Sequence, residues 1–285
     1  GEYGKDHCGN YGAKITERGM DMSQKRNRER HHRGRRKKKG SLALRIAFFV
    51  SALVFCVSVW QLVKIGKGYL DGQSEYKKLR KIVVDSNGNK DRFRVDFSEL
   101  LNINEDTVGW IRFYPEPSVI NYPIVQGKEQ EYYLHRTFQK KENASGAIFL
   151  DVEASPDFRD KNTIIYGHRM KDGSMFRHLQ DYSEREFWEK NQYFYIYTPY
   201  GTEITYHIYS VGEVDAMSDT YLTSFAGAEE YTGFLNMTKE TALYDTSVDV
   251  RSGDTIVTLS TCTSASDDHR FVVRGVKEKE VKLEE

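Results

Sequence analysis

The 285 residues have room for one ordinary globular domain plus appendages, and a content of 39% apolar and 13% aromatic residues can build a core. The formal net charge is zero, yet between Ser23 and Lys39 ten Lys/Arg face the single acid Glu29, leaving 32 Lys/Arg against 41 Asp/Glu elsewhere. A basic block beside an acidic body excludes a uniformly neutral protein and points to two environments.

In chain order, residues 1–40 form a basic tail. Met20 and Met22 are candidate starts, which would make 1–21 an upstream extension. From Ile46 to Val63 eighteen residues carry no charge, between Arg45 and Lys64. That length suits a helix crossing a hydrocarbon core of about 30 Å, so a transmembrane helix is expected over 41–65. The basic cluster precedes it, which puts the N-terminus in the cytoplasm and everything after Lys64 outside. A cleaved signal peptide has a shorter apolar core, about 7–15 residues, followed by a small-x-small site. Here Lys64-Ile65-Gly66-Lys67-Gly68-Tyr69 follows, a poor cleavage site. Beside a span, the basic block reads as a topology signal drawn to anionic head groups, so the cytoplasmic membrane is an expected partner and nucleic acid is not.

Residues 66–92 are polar and Lys-rich, a juxtamembrane helix or stalk that ends at the turn Ser86-Asn87-Gly88-Asn89. The main folded domain is expected over 93–285, opening with a short helix near Val95–Leu101. Strands are then expected at Gly109–Phe113, Ala147–Leu150, Thr163–Tyr166, Tyr193–Tyr197, Glu203–Val211, Thr255–Leu259 and Arg270–Val273. Their β-branched and aromatic content predicts a mainly β domain, an antiparallel barrel or sandwich. Helical stretches interrupt it at Ser183–Asn191 and at Ala228–Tyr244, where Tyr231, Phe234, Leu235 and Leu243 form an apolar stripe.

The cysteines fall in three compartments: Cys8 inside, Cys56 in the span, Cys262 outside. No disulfide framework is possible. Cys262 follows the strand Thr255–Leu259, and Arg270 opens another strand eight residues later. If 263–269 join adjacent antiparallel strands, the two land side by side. A cation beside a thiol favours thiolate, and its donors suit the oxyanion formed when a carbonyl is attacked; a rim arginine is the competing reading. Among the exported histidines, His207 lies within a strand as a packing or surface residue. His269 alternates away from Arg270. His178 and His135 lie in polar helix-like or loop surroundings. His168 ends a strand after the flexible Gly167. No metal constellation stands out, and no cofactor is expected.

The segments Asn162-Thr163-Ile164-Ile165-Tyr166-Gly167-His168 and Thr258-Leu259-Ser260-Thr261-Cys262, with Arg270 opening the last strand, resemble the signature of the sortase family. Tyr132-Tyr133-Leu134-His135, Gly146-Ala147-Ile148-Phe149-Leu150-Asp151 and the helical insertion before Cys262 resemble its class B. The similarity spans about residues 95–275, and the linker Thr263–His269 departs from it by lacking an aromatic while keeping Asp267 and Asp268.

The resemblance implies a closed β-barrel of about eight strands with a few peripheral helices, preceded by one transmembrane helix. It implies transpeptidation at the surface of Gram-positive bacteria. Cys262 would attack the Thr carbonyl of a surface-protein sorting signal, with an NPxT-like motif. His168 would move the proton, Arg270 would hold the oxyanion, and Ser260 and Thr261 would offer hydroxyls to the substrate. The acceptor would be an amine of peptidoglycan or of its lipid-linked precursor; pilin polymerisation is the alternative. Free Cys titrates near about 8.5 and His near about 6.5, so few molecules hold thiolate and imidazolium together. A bell-shaped profile with modest turnover follows.

Rival readings demand other features. An L,D-transpeptidase wants His and Gly close before its Cys, and a papain-like peptidase wants its Cys on an early helix. A non-enzymatic β-rich binding module makes no demand on Cys262 at all.

Overall fold

The computed structural model describes residues 37–84, 93–262 and 268–283, with Cys262 described by its backbone. The basic tail up to residue 36 with Cys8, the turn Ser86–Asn89 and the linker Thr263–Asp267 lie outside the described residues. The chain divides into two compact units, 1–62 and 63–285.

In the first unit the described residues belong to helix α1 (Lys37–Leu79), which continues into the second. Leu44, Phe48, Phe49, Leu53, Phe55 and Leu62 on it are all exposed. Exposed apolar side chains around a helix suit a lipid surrounding, and Leu42–Leu79 is long and apolar enough to cross a membrane.

In the second unit α1 behaves differently. Tyr76 and Leu79 are buried in the main core, so the packed unit begins within α1 and not at residue 93. The Lys-rich composition of 66–92 conceals this, because the apolar residues that anchor it are few. A two-stranded pair follows, β1 (Val83–Val84) with β2 (Arg94–Val95). Helix α2 (Phe97–Ile103) is capped by Asp96, whose carboxylate accepts from Glu99 N at 3.0 Å, satisfying one of the free donors of its first turn.

The remaining strands are β3 (Thr107–Phe113), β4 (Asn121–Val125), β5 (Ile148–Leu150), β6 (Asn162–Tyr166), β7 (Tyr193–Thr198), β8 (Thr202–Asp215), β9 (Ile256–Cys262) and β10 (His269–Lys282). They close into one barrel in the order β10-β8-β7-β3-β4-β5-β6-β9. Its inward residues, among them Ile111, Ile124, Ile165, Ile196, Val257, Leu259 and Val273, are fully buried. Each such side chain contributes about 1.5–3 kcal/mol. Helix α3 (Arg185–Lys190) docks through Trp188, whose Nε1 donates to Ile208 O at 2.9 Å. Helix α4 (Ala228–Glu240) buries Tyr231, Phe234 and Leu235 in a second cluster with Tyr209 and Val276. Leu243 lies beyond the helix end and is exposed.

Two features correct the sequence reading. The barrel is not purely antiparallel, since β4 runs parallel to β5 and β6 parallel to β9. Strand β4 was not expected, because Pro123 within it cannot donate to a ladder. It nonetheless pairs with β3, opposite Trp110.

Candidate functional site

The site gathers where β9 ends between β6 and β10. On one side β9 pairs antiparallel with β10 in the register Arg270↔Cys262, Val272↔Ser260. Opposed positions of an antiparallel pair share a face, so Cys262 and Arg270 occupy facing positions at the barrel rim. The return into β10 is tied at Asp268, whose carbonyl accepts from Ala216 N at 2.8 Å, just past β8. On the other side β6 runs parallel to β9, with Tyr166 opposite Ser260. Gly167 N extends that ladder by donating to Ser260 O at 3.1 Å. The parallel pairing brings the C-terminal ends of β6 and β9 to the same rim, carrying His168 toward the end of β9.

Gly167 serves close packing and not flexibility. A Cβ there would lie 2.5 Å from Ile148 Cδ1 and 2.7 Å from Phe176 Cδ2. His168 is then held by both backbone and ring. Its carbonyl accepts from Phe176 N at 2.9 Å, and its Nε2 lies 2.6 Å from Leu134 O. A carbonyl oxygen only accepts, so Nε2 carries the proton and Nδ1 is the basic atom of the neutral ring. Burial lowers the His168 pKa; the Leu134 carbonyl pulls it upward, and nearby His135 adds to the lowering.

These residues border a cavity of about 330 Å³ whose walls include Gln130, Leu134, Tyr166, His168, Tyr221 and Arg270. Ser260 and Thr261 border it too. Ser260 is buried, its Oγ 2.9 Å from Tyr221 Oη. Thr261 is equally buried, and its Oγ1 has no hydrogen-bond partner among the described residues. Tyr166 donates to Asp151 at 3.0 Å and stacks on Phe149 and Tyr221. Burial, reinforced by Asp151, raises its pKa, so the phenol stays protonated.

The turn that presents Tyr221 is fixed from beneath. Asn162 donates to Thr220 O at 3.1 Å and Leu222 O at 2.9 Å, and accepts from Thr258 at 2.7 Å. Arg274, completely buried, donates to Ser210 Oγ and Thr220 Oγ1, each at 2.9 Å.

The structure thus brings His168, Arg270, Ser260 and Thr261 to one cavity, with the backbone of Cys262 beside Arg270. Away from it, His207 stacks on Tyr193 and pairs with Glu278 at 3.2 Å, and His178 contacts Asp181 at 2.7 Å. His135 is closer than its loop context indicated, with its ring centroid 6.2 Å from that of His168. Sequence reasoning also missed Gln130, Leu134, Tyr166 and Tyr221 as walls. The segments Tyr132–His135 and Asn162–His168 carried a signal for Leu134 and Tyr166; Gln130 and Tyr221 lie in stretches with no motif.

A family model described as Sortase domain matches residues 115–278. "Sortase B" of Listeria monocytogenes is 35% identical over 187 residues, 64% of this chain and 74% of that protein. A Staphylococcus aureus sortase B–substrate complex superposes with a TM-score of 0.60 at 33% identity, covering 64% of this chain and 84% of the other. Sortase B from B. anthracis in complex with AAEK1 gives 0.66 at 34% identity, covering 75% and 100%.

Proposed function

The chain belongs to the sortase family of cysteine transpeptidases, and on that premise we propose that Cys262, His168 and Arg270 together cleave a sorting signal and pass its acyl group to an amine. The observation that carries this reading is the register Arg270↔Cys262, with His168 and Arg270 bordering one cavity.

In this reading the Cys262 thiolate attacks the carbonyl carbon of a Thr in the sorting signal, and the carbonyl oxygen becomes an oxyanion. Arg270 stabilises that charge with donors held in a fixed fork. The tetrahedral species collapses with cleavage of the C–N bond, and His168 gives its proton to the departing amine. A thioester to Cys262 remains. An incoming amine loses a proton to His168 as it attacks the thioester, and release of the Cys262 thiolate completes the amide. With Nε2 committed to Leu134 O, Nδ1 is the atom through which the proton moves. Ser260 and Thr261 contribute at the cavity wall, Thr261 through a hydroxyl not yet engaged among the described residues.

The substrate is a surface protein with an NPxT-like sorting signal, and the acceptor an amine of peptidoglycan or its lipid-linked precursor. Support comes from the solved substrate complex of the S. aureus relative. The apolar helix anchors the chain in the cytoplasmic membrane, N-terminus inside and catalytic domain outside; the support is the basic block ahead of the uncharged run.

Full-length chain in detergent, incubated with a panel of fluorogenic sorting peptides, tests this. Mass spectrometry is expected to find the peptide's N-terminal part, ending at Thr, on Cys262, and added amine is expected to discharge it. Absence of any adduct across the panel overturns the reading.

A further inference from the structure

We propose that Tyr76, on the membrane-proximal helix α1, is a positioning residue for His168, acting through the loop 133–147. The proposal rests on the reading of His168 as the proton-transfer group. It arises from hydrogen bonds that the fold alone does not require.

Tyr76 is 5% exposed. Its hydroxyl donates to Gly146 O at 2.7 Å and accepts from Phe138 N at 3.3 Å. One residue earlier, Glu75 accepts from Gln139 N at 2.9 Å, and about two turns before Tyr76 Gly68 O accepts from Asn143 Nδ2 at 2.8 Å. α1 therefore clasps the outer arm of the loop at several points along its length.

The inner arm carries the group that orients the imidazole. Ala147 N donates to Tyr133 O at 3.0 Å, and Asn143 N donates to His135 O at 3.0 Å, so the two arms are laced together around Leu134. Gly146 sits in the left-handed region with φ 58°. A Cβ there would fall 2.6 Å from Leu134 O and 3.0 Å from His168 Cδ2. The backbone atom held by Tyr76 thus belongs to the residue that abuts both the His168 ring and the carbonyl fixing its Nε2. A partner that fixes the tautomer of a working histidine controls which nitrogen is basic.

The titratable groups around His168 are His135 from the loop, whose ring lies beside it, and those bordering the same cavity: Glu131 just ahead of the loop, Arg270 from β10, and the phenols of Tyr166 and Tyr221. Among the described residues, α1 adds no charge to that set. Removing one hydroxyl from Tyr76 therefore leaves the charges around the imidazole unchanged, and any altered titration reports its burial and orientation.

The test compares full-length wild type, Tyr76→Phe and Tyr209→Phe in detergent micelles. Tyr209 is an equally hidden phenol that bonds Thr238 at 3.0 Å under α4. Two readouts are taken: turnover of an NPxT-type peptide with an amine, and the NMR titration of the His168 ring. Tyr76→Phe is expected to lower kcat about tenfold, with KM changed less than about twofold. The His168 pKa is expected to rise toward the ordinary value of about 6.5 as burial loosens. Tyr209→Phe is expected to lower Tm by a similar amount and move neither readout. Glu75→Ala, a second cut in the same clasp, is expected to move both in the same direction by less.

Wild-type kcat and titration in Tyr76→Phe and Glu75→Ala, with a Tm loss matching Tyr209→Phe, would reduce the clasp to ordinary packing and overturn the proposal. If wild type forms no acyl-enzyme, the functional reading fails by itself, and the His168 titration still decides the clasp.

Discussion

At His168, the proton inventory is set by position as much as by residue type. Burial holds its pKa below the usual histidine range, so the acid limb of kcat/KM is expected below about 6.5. In the proposed mechanism the same shift shrinks the fraction carrying imidazolium with thiolate, so a modest turnover is expected. A kcat/KM profile from pH 4 to 10 checks this; an acid limb above 6.5 contradicts it. Cys262→Ala is expected to abolish the acyl adduct, and Arg270→Ala to lower kcat/KM by about 10²–10³ while the fold is retained. Arg270→Lys keeps the charge and loses the planar fork, so it recovers only part of that loss. These residues were legible in the sequence because each sits at a strand boundary with motif neighbours. Tyr221 was not, since it reaches Ser260 only through the tertiary fold, and a lone Tyr among Asp, Thr and Leu carries no local signal.

At the level of elements, the strands were legible from β-branched and aromatic runs, but their directions were not. Alternation reports which residues share a face and is silent on which way the neighbouring strand runs. That is why the parallel β6–β9 pair, which carries His168 to the rim where β9 ends, came only from the structure. Strand β4 is concealed by Pro123, whereas the short linker between Cys262 and Arg270 points to the antiparallel β9–β10 pairing. The loop between β4 and β5 has its own weak point. Gly146→Ala forces a side chain into a left-handed position against the Tyr133 and Leu134 carbonyls. A loss of about 1–3 kcal/mol is expected in chemical denaturation. Activity is expected to fall further than stability, because the displaced carbonyl is the one at His168. Asn162→Ala removes two donors and one acceptor from beneath Tyr221, with an expected cost on the order of 3 kcal/mol.

Across the whole molecule, pH acts on stability from both sides. His168 and His207 are both lowered by burial, the latter against the pull of Glu278. Below about 6.5 the unfolded chain takes up protons that the folded chain refuses, so stability falls as pH drops toward the folded values. Burial raises Tyr122, Tyr133 and Tyr206. Above about 10 the unfolded chain releases protons that the folded chain keeps, so stability falls again with rising pH. Denaturation midpoints measured at pH 5, 7 and 11 are expected to peak at the middle value.

The closed barrel carries a consequence for how a peptide is read. Strand β9 is paired with β6 as far as Ser260 and with β10 as far as Cys262, within a closed ring of strands. Along that paired length an incoming segment finds no free barrel ladder to borrow, unlike the extended partners that open sheets recruit through the backbone alone. Discrimination falls to the walls of the cavity, residue against residue. Exchange of wall residues such as Gln130 or Tyr221 should redirect which peptides are accepted while leaving the strand scaffold intact.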